Sequence, residues 1–244
     1  MLGLRTVTTA RACTGCVALA LSLTGTAYLA SDASPLLAAG SAPQLSLNLN
    51  LAISQELSAT STGALVAEVN AIWWHSNLSL IWRTVDVSDP LPAMPESENW
   101  LRVLVLARQT PGAGDTSTFT VGELVRYEGA KPLAIASVTA ARRVVGESVR
   151  VQALEGPRDY DRRLGVVLGR AIAHEIGHYL LGPAHASSGL MRANIDAREF
   201  ADVRSRSFLL DNPAQAYLAR LAATPVRLAT APPSHVPLFS YSSR

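Results

Sequence analysis

Apolar positions along the chain fall into two periodicities, and these divide it into helices and strands. Leu57, Leu65, Val66, Val69, Ile72 and Trp73 recur near helical spacing. Ser61-Thr62-Gly63 interrupts the pattern, which leaves 62–75 as the firm helix, with Asn77 as a turn after it. Leu78 to Val85 reads as a strand, and 86–99 as a loop holding Pro90, Pro92 and Pro95. Leu101 to Leu106 is a second strand, apolar on both faces after Arg102, which suits an inner place in a sheet. Residues 119–126 fit a short strand less clearly, and 133–145 contain another, centred on Ile135 to Val138, with Arg142 to Val145 as its continuation or a neighbour.

After Gly156-Pro157 the spacing turns helical again, through Leu164, Val167, Leu168, Ala171, Ile172 and Ile176 to Leu181. Asp159 or Asp161 opens this long helix and Gly182-Pro183 closes it. Two more helical stretches follow at about 196–207 and 213–222, the second with Pro213 in its first turn. The predicted architecture is α+β, a mixed twisted sheet packed on a long helix with a C-terminal helical part. Strand order is not readable from the pattern.

The two ends differ in composition from the middle. Arg5 and Arg11 precede an apolar run from Ala12 to Ala30, which Asp32 and Pro35 end. That is the layout of a signal peptide, or of an anchor if it is not removed. Either reading puts the body outside the cytoplasm, secreted or periplasmic. The expected organisation is 1–30 as targeting segment, 31–60 as linker or lead-in, 61–222 as folded domain and 223–244 as a Pro-rich, mobile tail.

Charge and cysteine content narrow the function. Net charge is +2 over the whole chain, and Arg5 and Arg11 account for it, since residues 31–244 carry 19 basic and 19 acidic groups. No basic stripe exists, so nucleic acid is excluded as a partner. The only cysteines, Cys13 and Cys16, lie in the targeting segment, which excludes thiol chemistry from the body. Membrane contact is expected only through residues 1–30, and a monomer is expected.

The chemistry concentrates in twelve residues. His174 and His178 stand four apart on the long helix, one turn from each other on one face, so both imidazoles can reach one metal. Glu175 follows the first histidine and stands beside the metal as a base for water, the H-E-x-x-H pattern. Gly177 costs about 1 kcal/mol relative to alanine inside a helix, which suggests room for a strand or substrate backbone. Gly182 can turn the chain back so that His185, three residues later, meets the same metal. A helix with two core histidines and a surface His185 is the structural alternative.

The run His174-Glu175-Ile176-Gly177-His178-Tyr179-Leu180-Leu181-Gly182-Pro183-Ala184-His185 resembles the zinc signature of the metzincin metallopeptidases. Here the glycine and the third histidine each come one residue late. Ser187-Ser188-Gly189-Leu190-Met191 resembles the methionine turn, with Met191 as an apolar floor under the metal. The layout is similar to that of a group of secreted bacterial matrixin-like proteins. The resemblance implies a zincin-like fold, a Zn2+ cofactor held by His174, His178 and His185, Glu175 as catalytic base, and Gly182 and Met191 as supporting turns. It also implies a protein or peptide substrate laid along a sheet edge, for which the strand at 133–140 is the candidate. In the thermolysin-like branch a later glutamate is the third ligand, and Glu199 with Asp202 fits that arrangement.

The sequence therefore points to a zinc endopeptidase. A noncatalytic metal-binding envelope protein and a zinc amidase are the alternatives; the intact Glu175 argues against the first. Tyr179 reads as packing. The four tryptophans read as core or rim, and Asp159 and Asp161 as helix starts rather than calcium ligands.

Overall fold

The computed structural model describes residues 45–53, 57–86, 99–107, 118–126, 131–149, 156–223 and 239–242, all within the compact unit Ser41–Arg244. The expected targeting segment and most of the expected tail lie outside the described residues. No helix among those described is long and apolar enough to cross a membrane.

The elements run β1 (Leu45–Ile53), α1 (Ala59–Trp73), β2 (Leu78–Val85), β3 (Trp100–Leu106), β4 (Thr118–Val125), β5 (Leu133–Ser137), α2 (Val138–Val149), α3 (Pro157–Leu181), β6 (Asn194–Ile195), α4 (Ala197–Ala201), α5 (Asn212–Ala223) and β7 (Phe239–Ser242). The strands form one mixed sheet in the order β2-β1-β3-β5-β4-β7-β6. β1 is parallel to β2 and to β3, and β3 is parallel to β5. β4 is antiparallel to β5 and β7. The fold is the expected mixed twisted sheet on helices with a C-terminal helical region.

Five local expectations need correction. Residues 45–50, expected within a lead-in, begin a strand that sits inside the sheet between β2 and β3. Leu47, Leu49 and Leu51 alternate along it and are at most 2% exposed. The first helix starts at Ala59, not near 62, because the Ser58 hydroxyl accepts from the Ser61 amide and caps it.

Residues 142–145, expected as strand, belong to α2. Val138, Ala141, Val144, Val145 and Ser148 are buried at helical spacing while Arg142 and Arg143 face out, and the Ser137 hydroxyl accepts from Ala140 N at its start. The 133–140 stretch is also no sheet edge: β5 lies between β3 and β4. β4 in turn lies between β5 and β7, and the outermost strands among the described residues are β2 and β6. Within the expected tail, residues 239–242 form β7.

α3 is the axis of the molecule. From Arg163 to His178 every residue is buried, because α1, α2, the sheet and the C-terminal segment cover it on different sides. Its contact with α1 is made by glycines. A Cβ on Gly169 would lie 2.8 Å from the Leu65 carbonyl oxygen, and one on Gly165 would overlap the Ser61 carbonyl. The Ser58 hydroxyl also donates to Asp161 Oδ2 at 2.7 Å, which ties the first turns of both helices together.

If β1 is core, Leu49→Ala will lower the unfolding free energy by about 2–5 kcal/mol, read from the urea midpoint. Ser46→Ala, on the exposed side of the same strand, will change it by less than about 0.5 kcal/mol. Equal, small effects at both positions would show that 45–53 lies outside the folded body.

Candidate metal centre

The last two turns of α3 present His174, Glu175 and His178, and they do so in the dry interior: none is more than 1% exposed. Gly182 then takes φ 97°, and the chain turns back so that His185 faces the same point. The added residue in the signature is absorbed by the helix, which continues through Leu181 before turning. Ligand atoms of His174, His178 and His185 all lie within 4.8 Å of one another. Their ring centroids are 4.6, 4.8 and 5.4 Å apart.

The ring orientations are set by backbone carbonyls. His174 Nδ1 donates to Leu190 O at 2.7 Å and His178 Nδ1 donates to Gly182 O at 3.0 Å. A carbonyl only accepts, so both rings carry their proton on Nδ1, and the bare Nε2 is the atom left for a metal. Burial, with the neighbouring imidazole adding to it, lowers the pKa of His174 to about 3. Burial lowers that of His178 to about 4 and that of His185 below its ordinary value. His174 and His178 are therefore neutral near pH 7.

Glu175 is enclosed. A Cβ on Gly122 of β4 would stand 2.8 Å from Glu175 Oε1 and 3.3 Å from Ala171 Cβ, so only glycine lets the strand lie this close to α3. Glu175 Oε1, His178 Nε2 and His185 Nε2 are buried with no hydrogen-bond partner. Buried polar atoms normally have one, and three such atoms in one place fit a site that holds a ligand. Burial raises the Glu175 pKa well above its ordinary value, with the Glu123 carboxylate adding to the effect. The donor set of three imidazoles suits zinc among the common divalent ions.

Beneath the cluster the 186–192 loop closes on itself through Ala186 N to Met191 O at 2.8 Å. Met191 is 6% exposed, and its sulfur fills the space left by the missing side chain of Gly177. The gap at Gly177 thus admits the methionine, not a strand or substrate backbone as the sequence suggested. Gly189 takes φ 74° against the Leu209 carbonyl, which a side chain would strike at 2.7 Å.

Glu199 stands outside the cluster. Arg192 grips its carboxylate with two hydrogen bonds, at 2.6 and 3.2 Å, and holds it below its usual pKa range. Tyr179 packs against the core, as expected. Three contributors were not identified from sequence: Leu190, which acts through its carbonyl; Gly122; and Arg126, which donates to His178 O at 3.0 Å and ties β4 to the end of α3. A lone glycine inside a strand does signal close backbone approach. A backbone carbonyl leaves no such signal.

No protein-family model and no curated protein matches the chain. Among solved structures, it is similar to the crystal structure of archaemetzincin from Methanopyrus kandleri, at 15% identity and a TM-score of 0.46, over 78% of this chain and 100% of that one.

Two outcomes are expected of the metal-free protein. Gly177→Ala will destabilise it by about 1–3 kcal/mol through collision with Met191. In a Met191→Ala background the same change will be neutral or gain up to about 1 kcal/mol from helix propensity. A denaturation double-mutant cycle with no coupling would refute the contact.

Glu175→Gln will raise the melting temperature. The folded state holds the Glu175 proton more tightly than the unfolded one, whose carboxyl titrates near 4.5. Wild-type stability therefore falls as pH rises above that value. The gain from glutamine will be small at pH 4.5 and grow to roughly 2–8 °C near pH 7.5. A gain that does not change with pH would contradict the burial argument.

Proposed function

We propose that this chain is a zinc-dependent endopeptidase of the metzincin type, hydrolysing peptide bonds in proteins or peptides outside the cytoplasm. The convergence of His174, His178 and His185 beside a buried glutamate carries the reading. A site with three protein ligands leaves a position open for water and substrate, as catalytic zinc sites do. The Arg192 grip on Glu199 favours His185 over Glu199 as the third ligand. Met191 under Gly177 suits the methionine turn that the motif suggests. Placement among secreted bacterial matrixin-like proteins rests on the 174–191 run, and export rests on the apolar N-terminus.

When bound, zinc supplies Lewis acidity toward water and a scissile carbonyl, and its charge favours the ionised form of Glu175. His174, His178 and His185 would hold it. Glu175 takes the proton of the attacking water and delivers it to the leaving amine. Gly122 and the walls around Glu175 exclude bulk water, which strengthens the base's interaction with the reacting groups. The substrate would bind as an extended peptide.

Purified, zinc-loaded protein will cleave a peptide mixture, and Glu175→Gln will lower kcat by about 10²–10⁴-fold while keeping its zinc. His185→Ala will lose zinc affinity, and Glu199→Ala will retain it. Equal cleavage by wild type and Glu175→Gln would overturn the mechanism. Zinc loss in Glu199→Ala but not His185→Ala would move the third ligand.

A further inference from the structure

One full positive charge lies inside α3, one turn before the first histidine. Arg170 is 1% exposed. Its Nε donates to Glu68 Oε1 on α1 at 2.7 Å. Nη1 donates to the carbonyls of Glu199 at 3.0 Å and Phe200 at 2.8 Å, and Nη2 donates to that of Ser205 at 3.2 Å. The Phe208 ring sits 4.1 Å from the guanidinium carbon. Three of the four hydrogen bonds therefore go to the backbone of one segment, 199–205, with Phe208 packed on the same group.

The chain that continues from it, at Leu209, reaches the histidine cluster in two further hydrogen bonds. Leu190 N donates to Leu209 O at 3.1 Å, and Leu190 O accepts from His174 Nδ1 at 2.7 Å. Arg192 fastens the same assembly from its outer side, through the Glu199 carboxylate and Gly189 O at 3.2 Å. Burying a cation is costly unless its geometry is fully satisfied. Apolar side chains would pack the segment as firmly, but only the planar fork of an arginine fixes the directions of three carbonyls at once.

We propose that Arg170 is a positioning residue: it fixes the 199–209 backbone, which holds the Leu190 carbonyl in place and so sets His174 as the Nδ1–H tautomer with Nε2 turned to the metal. The proposal rests on the reading of the histidine cluster as a metal site, but not on peptidase activity.

The test uses the full chain. The double variant Arg170→Met with Glu68→Gln removes both charges, so that neither is left buried alone. Arg192→Gln, at the more exposed end of the network, is a second variant that keeps the core intact. Long-range 1H–15N imidazole spectra of the metal-free protein read the tautomers, and competition with a chelator reads zinc Kd. In both variants His174 will lose its single Nδ1–H signature and zinc Kd will rise, by about 10–100-fold in the double variant and less in Arg192→Gln. His178, whose proton goes to Gly182 within the same helix end, will keep its tautomer. An unchanged His174 tautomer and zinc Kd, with only thermal stability lost, would overturn the proposal. If the double variant does not fold, the same null result in Arg192→Gln overturns it. A wild type that binds zinc but cleaves no peptide, with these shifts seen in the variants, would sink the peptidase reading and leave Arg170's role standing.

Discussion

Two buried imidazoles, a buried carboxylate and a half-buried third imidazole brought to one point form the constraint around which this fold is arranged. Each group would be better solvated outside, and burial makes each resist its charged form. Two of the rings are steadied by carbonyls that accept from Nδ1, one from the loop below and one from the helix's own end. That division leaves one nitrogen per ring aimed inward. A cation among them would offset the cost that the bare protein bears.

Close approach is what makes the enclosure possible, and glycine makes the approach possible. Gly165 and Gly169 let α1 lie on α3, Gly177 gives Met191 its place, and Gly122 brings β4 against Glu175. Four absent side chains thus close three sides of one helix. The helix would be intrinsically stronger with alanine at its three glycines; packing against its neighbours outweighs that preference.

Behind the site, charge takes over from apolar packing. Arg170 is satisfied by a carboxylate, three carbonyls and an aromatic face, and Arg192 repeats the arrangement at the rim. The short α4 and the turns after it bury Phe200, Phe208 and Leu210, but apolar burial sets no direction for a carbonyl. Directional hydrogen bonds fix their backbone, and through Leu190 they reach a metal-facing ring.

Local pattern determined the elements whose neighbours merely agree with it: the i, i+4 histidines with Glu175 between them, the length of α3 with its Gly182 stop, and the strands at 78–85 and 101–106. It failed where two periods compete over a short stretch. Leu45 to Ile53 alternates strictly, yet its composition resembles a linker, and its place between β2 and β3 follows from pairing with strands 30 to 50 residues away. Val138 to Val145 is rich in β-branched residues, but the Ser137 cap and the burial of one stripe make it helix. The ligand types were readable because metal chemistry needs particular side chains at particular spacing. The third histidine's arrival, the loss of Glu199 to Arg192, and the role of Leu190 were decided only in the tertiary structure, because each depends on where a distant backbone group comes to rest.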